Sequence, residues 1–132
     1  MKALKLLPVL FVVTFLFTGC LYNFIVPEPE LPIDPDDPNA PEVSFSADII
    51  PIWNNNNNCT SCHKTGGTNP DLTADNAYQS VNNSNYINQS SPEQSKIYLV
   101  PHPDEGGHSQ KKYTSNQADM VLLWIKQGAQ NN

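Results

Sequence analysis

The residues with the strongest chemical signature are Cys59-Thr60-Ser61-Cys62-His63. Two thiols three positions apart, followed at once by an imidazole, match the attachment signature of a c-type haem. The spacing has a physical basis. On a turn that enters a helix, each thiol can bond one of the two haem vinyl groups. The adjacent imidazole of His63 then lies under the iron as the proximal ligand. The same residues admit other chemistry. Cys59 and Cys62 could form a thioredoxin-like redox pair, which requires an apolar βαβ context that this sequence lacks. They could bind zinc with His102 and His108. The histidine spacing suits zinc, but 39 residues separate Cys62 from His102, against about 12–15 in a finger. A structural disulfide is the third alternative.

A haem iron held by His63 has a second axial position. The side chains able to fill it are His102, His108 and Met120. Met120 falls inside an apolar helical pattern, where packing explains it. His102 sits between Pro101 and Pro103, in a rigid extended stretch. His108 follows Gly106-Gly107, whose missing side chains let backbone approach a flat group closely. His108 is therefore the expected distal ligand, with His102 and Met120 as alternatives.

These residues need elements to hold them. Phe45, Ile49, Ile52 and Trp53 recur at i, i+4, i+7 and i+8, one face of a helix. Ser44 or Ser46 can cap it, and the asparagine run 54–58 ends it just before the thiols. A short helix is expected over 73–81 with Thr73 as cap, and an extended piece or single helical turn over 95–100. The last helix is the best defined. Thr114-Ser115-Asn116-Gln117 is a capping box. Ala118, Val121, Leu122 and Ile125 line one face with Trp124 beside them, and Gly128 supplies a left-handed stop.

Taken together, residues 45–129 resemble the small monohaem cytochrome c domains of bacterial lipoproteins. The resemblance rests on CTSCH, on Phe45-Ser46-Ala47-Asp48-Ile49-Ile50-Pro51-Ile52 ahead of it, and on Trp124-Ile125-Lys126-Gln127-Gly128-Ala129 at the end. It implies an all-α fold in which the first and last helices cross and pack against the edge of one covalent haem c. It also implies a protein that passes single electrons. In that family the distal ligand, often a methionine, comes from a loop at about the distance before the final helix at which His108 stands. Two histidine ligands would give a lower potential than a histidine–methionine pair.

The rest of the chain suggests where such a domain would work. Met1-Lys2-Ala3-Leu4-Lys5 and the apolar run 6–17 have the build of a secretory signal. The run is shorter than the ~20 apolar residues a membrane span needs. It ends in Leu16-Phe17-Thr18-Gly19-Cys20, which resembles the lipoprotein signal of bacteria. On that reading residues 1–19 are removed and Cys20 carries lipid, which anchors the chain to a membrane facing the periplasm or the cell surface. Residues 20–42 follow as a linker. Six prolines and six acids within 27–42 exclude helix and favour a disordered, extended polyproline stalk reaching about 50 Å. The domain proper is then 43–132.

Composition narrows the function classes. The 132 residues allow one modest domain and carry a net charge of -6, unsuited to the counterion displacement that nucleic-acid binding requires. Removal of 1–19 would leave 5 basic and 13 acidic residues, and most of that acidity belongs to the linker. A domain of about 90 residues with a thin apolar core commonly uses a metal, disulfides or a cofactor as part of its core. The odd cysteine count is accounted for by one lipid site, Cys20, and one haem pair. The expected function is therefore a membrane-tethered electron carrier that docks with redox partner proteins, rather than a catalyst. The alternatives are a haem enzyme or gas-binding sensor with an open distal site, and a non-haem zinc or disulfide module.

Overall fold

The structure, a computed structural model, describes residues 32–104 and 107–132. The expected signal peptide 1–19, the lipid site Cys20 and the start of the linker lie outside the described residues, as do Glu105 and Gly106. The described chain is helical and contains no strand, as an all-α reading requires. None of its helices is long and apolar enough to cross a membrane.

The first apolar segment is helical, as its spacing predicts, but it begins as one widened turn over Phe45–Ile49. There the Ile50 amide reaches back to the Phe45 carbonyl. Pro51 follows immediately and has no N–H to continue an ordinary ladder. Helix α1, Ile50–Asn54, carries the segment on. Ser44 is the cap: its hydroxyl accepts from the Ala47 amide at 3.1 Å. Asp48 returns the bond by accepting from the Ser44 amide at 2.8 Å. Phe45, Ile49, Ile52 and Trp53 are the buried face.

Helix α2, Ala77–Val81, is shorter than the 73–81 span expected. The Thr73 hydroxyl donates to Asp71 at 2.6 Å instead of capping, so the chain makes a turn before the helix starts. Helix α3, Lys96–Leu99, resolves 95–100, open between an extended piece and a single turn, as the turn. Buried Ser95 fixes its entry by accepting from the Asn88 amide at 2.9 Å. Helix α4, Ser115–Lys126, has the full capping box between Thr114 and Gln117. It ends at Gly128, whose φ of 98° suits glycine.

α1 and α4 meet through aromatic rings. Phe45 lies 5.2 Å from Trp124 and 5.8 Å from Trp53, centroid to centroid. Trp53 meets Trp124 edge-on at 6.4 Å, and Tyr78 of α2 closes on Phe45 at 5.3 Å. Such rings bury large apolar areas and favour tilted or edge-on contacts. Asn132 ties the two ends of this unit together, since its backbone carbonyl accepts from Ser46 and its side-chain carbonyl accepts from Phe45.

Residues 32–42 depart from the expected extended stalk. They form two successive turns, closed by Asp37 N–H to Asp34 and Ala40 N–H to Asp37. Asp34 and Asp37 side chains cap the same turns. The segment lies along α4. Ile33 donates to Asn116 at 3.2 Å, Asp36 pairs with Lys126 at 2.6 Å, and Gln127 bridges the Pro41 carbonyl and the Val43 amide. Proline density and like charge favour extension only while no partner is offered. Here Lys126 and Asn116 of α4, and Gln127 at its C-terminal cap, offer partners to an aspartate and to backbone groups of the proline-rich segment.

Candidate functional site

The thiol segment hangs directly from α1. The Cys59 amide donates to the Trp53 carbonyl at 2.9 Å. The asparagines before it are fasteners as well as breakers. Asn56 and Asn57 take left-handed backbone, with φ of 54° and 52°, which asparagine tolerates better than most residues. Asn58 donates to Ile52 at 3.0 Å, and Asn54 donates to Leu72 at 2.8 Å across the site.

Residues 59–63 form one helical turn. The amides of Cys62 and His63 both return to the Cys59 carbonyl, at 3.1 and 2.9 Å. The turn holds Cys59 half-buried and Cys62 exposed, and neither thiol is in a disulfide. Burial pushes the Cys59 thiol up, against the opposing pull of Lys111. Gly67 then presses on the turn. A side-chain carbon there would collide with the Cys62 carbonyl, so the close return of the chain requires glycine.

His63 is oriented by its Nδ1, which lies 3.1 Å from the Pro70 carbonyl. A carbonyl only accepts, so Nδ1 carries the proton and Nε2 keeps its lone pair for a metal. The neighbouring Asp71 organises the loop that presents this carbonyl. Its carboxylate accepts from the hydroxyls of Thr65 and Thr73 at 2.6 Å each, from the Thr73 amide at 3.0 Å, and from Asn76 at 3.1 Å. These hydrogen bonds, Thr65 foremost, push the Asp71 carboxyl down from an ordinary 3.8 to about 2.

The structure brings His108, one of the three candidates for the second axial position, to His63. The rings of His63 and His108 lie 5.9 Å apart, centroid to centroid, tilted by 33°. The loop carrying His108 is closed by the His108 amide on Val100 at 3.2 Å and the Tyr113 amide on Pro101 at 2.9 Å. Tyr113 is buried. Its hydroxyl accepts from the Trp53 indole at 2.9 Å and donates to the Ile97 carbonyl at 3.0 Å, and burial raises its pKa. His102 instead stands edge-on to Tyr98 at 5.1 Å, with its Nδ1 accepting from Asp104. Met120 packs against the core from α4.

The residues fit a covalent haem. The thiols are free on one turn, His63 has an oriented ring with an unused nitrogen, and a second imidazole faces it. Among the described residues the buried Nδ1 of His108 has no hydrogen-bond partner, a state that a nearby metal or small ligand would account for. Zinc fits less well: among the described residues no three His, Cys, Asp or Glu side chains converge.

Three contributions were not foreseen from the sequence: the Pro70 carbonyl, the Asp71 hub and the buried Tyr113 hydroxyl. Asp71-Leu72-Thr73 carries a faint signal, an acid two residues before a hydroxyl. The Pro70 carbonyl leaves no residue-type signal, because any residue has a carbonyl, and the Tyr113 hydroxyl depends on Trp53, 60 residues away. Comparison of the chain with protein-family models, with curated proteins and with solved structures returned no significant match.

Proposed function

We propose that residues 43–132 form a monohaem c-type cytochrome domain that carries single electrons, joined by the linker to a lipid anchor at Cys20. Cys59 and Cys62 hold the haem through thioether bonds. His63 is the proximal ligand and His108 the distal one. Bound there, the haem supplies a one-electron iron couple. The protein's share is orientation, with Pro70 holding the His63 ring, Asp71 holding the Pro70 loop, and the α1–α4 aromatic cluster excluding water from beneath the thiol turn. The observation that carries the reading is the placement of the His108 ring opposite His63, from a loop 45 residues further along the chain.

An electron carrier on a membrane needs only weak docking, because the tether raises its effective concentration near partners held on the same surface. The partners are redox proteins reached from an exported, lipid-anchored position on a bacterial membrane. The deciding experiment is a pyridine haemochrome assay on protein made with the cytochrome c maturation machinery. Acid-stable haem at one equivalent per chain supports the reading, and haem that extracts into acid acetone refutes it. Two histidine ligands predict a low-spin spectrum and a low reduction potential. A clearly positive, histidine–methionine-like potential would overturn the assignment of His108.

A further inference from the structure

The two facing imidazoles are held very differently. His63 has its Nδ1 on the Pro70 carbonyl, and that carbonyl sits beside the Asp71 network. His108 has no such support. Among the described residues its buried Nδ1 has no partner. Among the described residues its other ring nitrogen has no hydrogen bond either. Whichever nitrogen of His108 faces a metal, the remaining one has no protein acceptor among the described residues to orient the ring and raise its basicity. Among the described residues the hydrogen bond that holds it is a backbone one, its amide on Val100. Gly107 before it borders open space, where even an added side-chain carbon would meet nothing within 4 Å.

A hydrogen bond to the non-coordinating nitrogen is worth roughly 10–100-fold in metal affinity. His63 has that advantage and His108 does not. Resting on the haem reading above, we propose that His108 is a displaceable ligand. Its place opposite His63 takes a small neutral diatomic molecule that prefers ferrous iron, of the carbon monoxide class. The exchange is a substitution without electron transfer: the bond to His108 breaks, the bond to the diatomic forms, and the imidazole leaves as a neutral ring on the Gly107 pivot. The domain would then combine a closed, low-spin resting state with a site that opens to a gas.

The test uses the purified holoprotein, reduced with dithionite and mixed with carbon monoxide without denaturant. The wild-type spectrum should change to that of a carbon monoxide complex. The binding rate should level off as carbon monoxide rises, because departure of His108 limits it. In His108→Ala the rate should stay proportional to carbon monoxide and exceed the wild-type plateau by at least about 10-fold. The final spectra of the two proteins should coincide, which identifies His108 as the group that leaves. A low-spin wild-type protein inert to carbon monoxide would overturn the proposal while leaving the cytochrome reading intact. So would final spectra that differ, or a wild-type spectrum already high-spin. Absence of covalent haem would instead remove the cytochrome reading, and the proposal with it. Should His108→Ala fail to fold, the wild-type plateau still decides.

Discussion

The segments 59–76 and 101–113 each present one imidazole to the same space, and they are built on opposite principles. The first is fastened by local polar bonds: a helical turn, a glycine pressed on a carbonyl, and a carboxylate gathering two threonines and an asparagine. In the second, the imidazole of His108 has no such polar setting among the described residues, and the segment is held from outside by Tyr113, which is buried among residues of α1 and α3. The contrast suggests a division of labour. A ligand that must never leave is best fixed by its own neighbours. A ligand that exchanges is better placed on a loop pinned at its ends.

The largest effect should come from the pin. Tyr113→Phe keeps the ring's packing but strands the Trp53 indole N–H and the Ile97 carbonyl, both buried beside it. Unmatched buried polar groups cost about 1–3 kcal/mol each, so a loss of about 3 kcal/mol is expected in denaturant unfolding. If the comparison holds, the loss is accompanied by faster amide exchange in 101–113 and little change in 59–76. Equal loosening of both segments would mean that the pin serves the whole core.

Two glycines offer a matched pair. Gly67→Ala places a carbon against the Cys62 carbonyl, where backbone must shift, and should destabilise by about 2 kcal/mol. It should also lower the yield of covalently attached haem. Gly107→Ala enters open space and should stay within about 0.5 kcal/mol. Similar effects at both glycines would erase the distinction between a tight and a loose segment.

The difference between the segments also sets how much could be read in advance. Local patterns survived well. The apolar face of the segment leading into α1, the capping box of α4 and the stop at Gly128 all follow from neighbours within a few residues. The thiol turn is visible for the same reason. Contacts between distant segments were not legible. Nothing near Tyr113 in sequence announces Trp53 or Ile97, and nothing in 54–58 says that Asn54 reaches Leu72. The start of α2 shifted because Thr73 found Asp71 before it could cap. The acidic prolines of 32–42 read as a free stalk because Lys126 and Gln127 are about 90 residues away.

A smaller effect is confined to acid. The Asp71 carboxyl is depressed to about 2 from 3.8, so the folded state favours its ionised form. The stability it contributes is fully present above about pH 4 and is lost as pH falls through about 2. Exchange protection in 59–76 should therefore fail across that window before 101–113 responds. Asp71→Asn should flatten the difference, since the amide cannot titrate. Parallel acid behaviour of the two segments in wild type would show that Asp71 does not govern the proximal side.

The smallest effect concerns the segment lying on α4. Lys126 meets Asp36 at 2.6 Å and Glu93 at 3.2 Å, but Asp36 is largely exposed and such pairs contribute about 0–1 kcal/mol. Lys126→Ala should lower global stability by less than about 1 kcal/mol. It should nevertheless raise proteolysis of 32–42 selectively, because that segment has little else charged to hold it. At about 1 M salt, where the screening length falls to ~3 Å, wild type and variant should converge. They should converge on a segment that is still docked, since Asn116 and Gln127 bind its backbone through neutral amides. Release of 32–42 in salt would mean that charge alone holds it. Retention makes it a third kind of segment, fastened by another element's side chains as the distal loop is, but at the surface, where each bond is worth less.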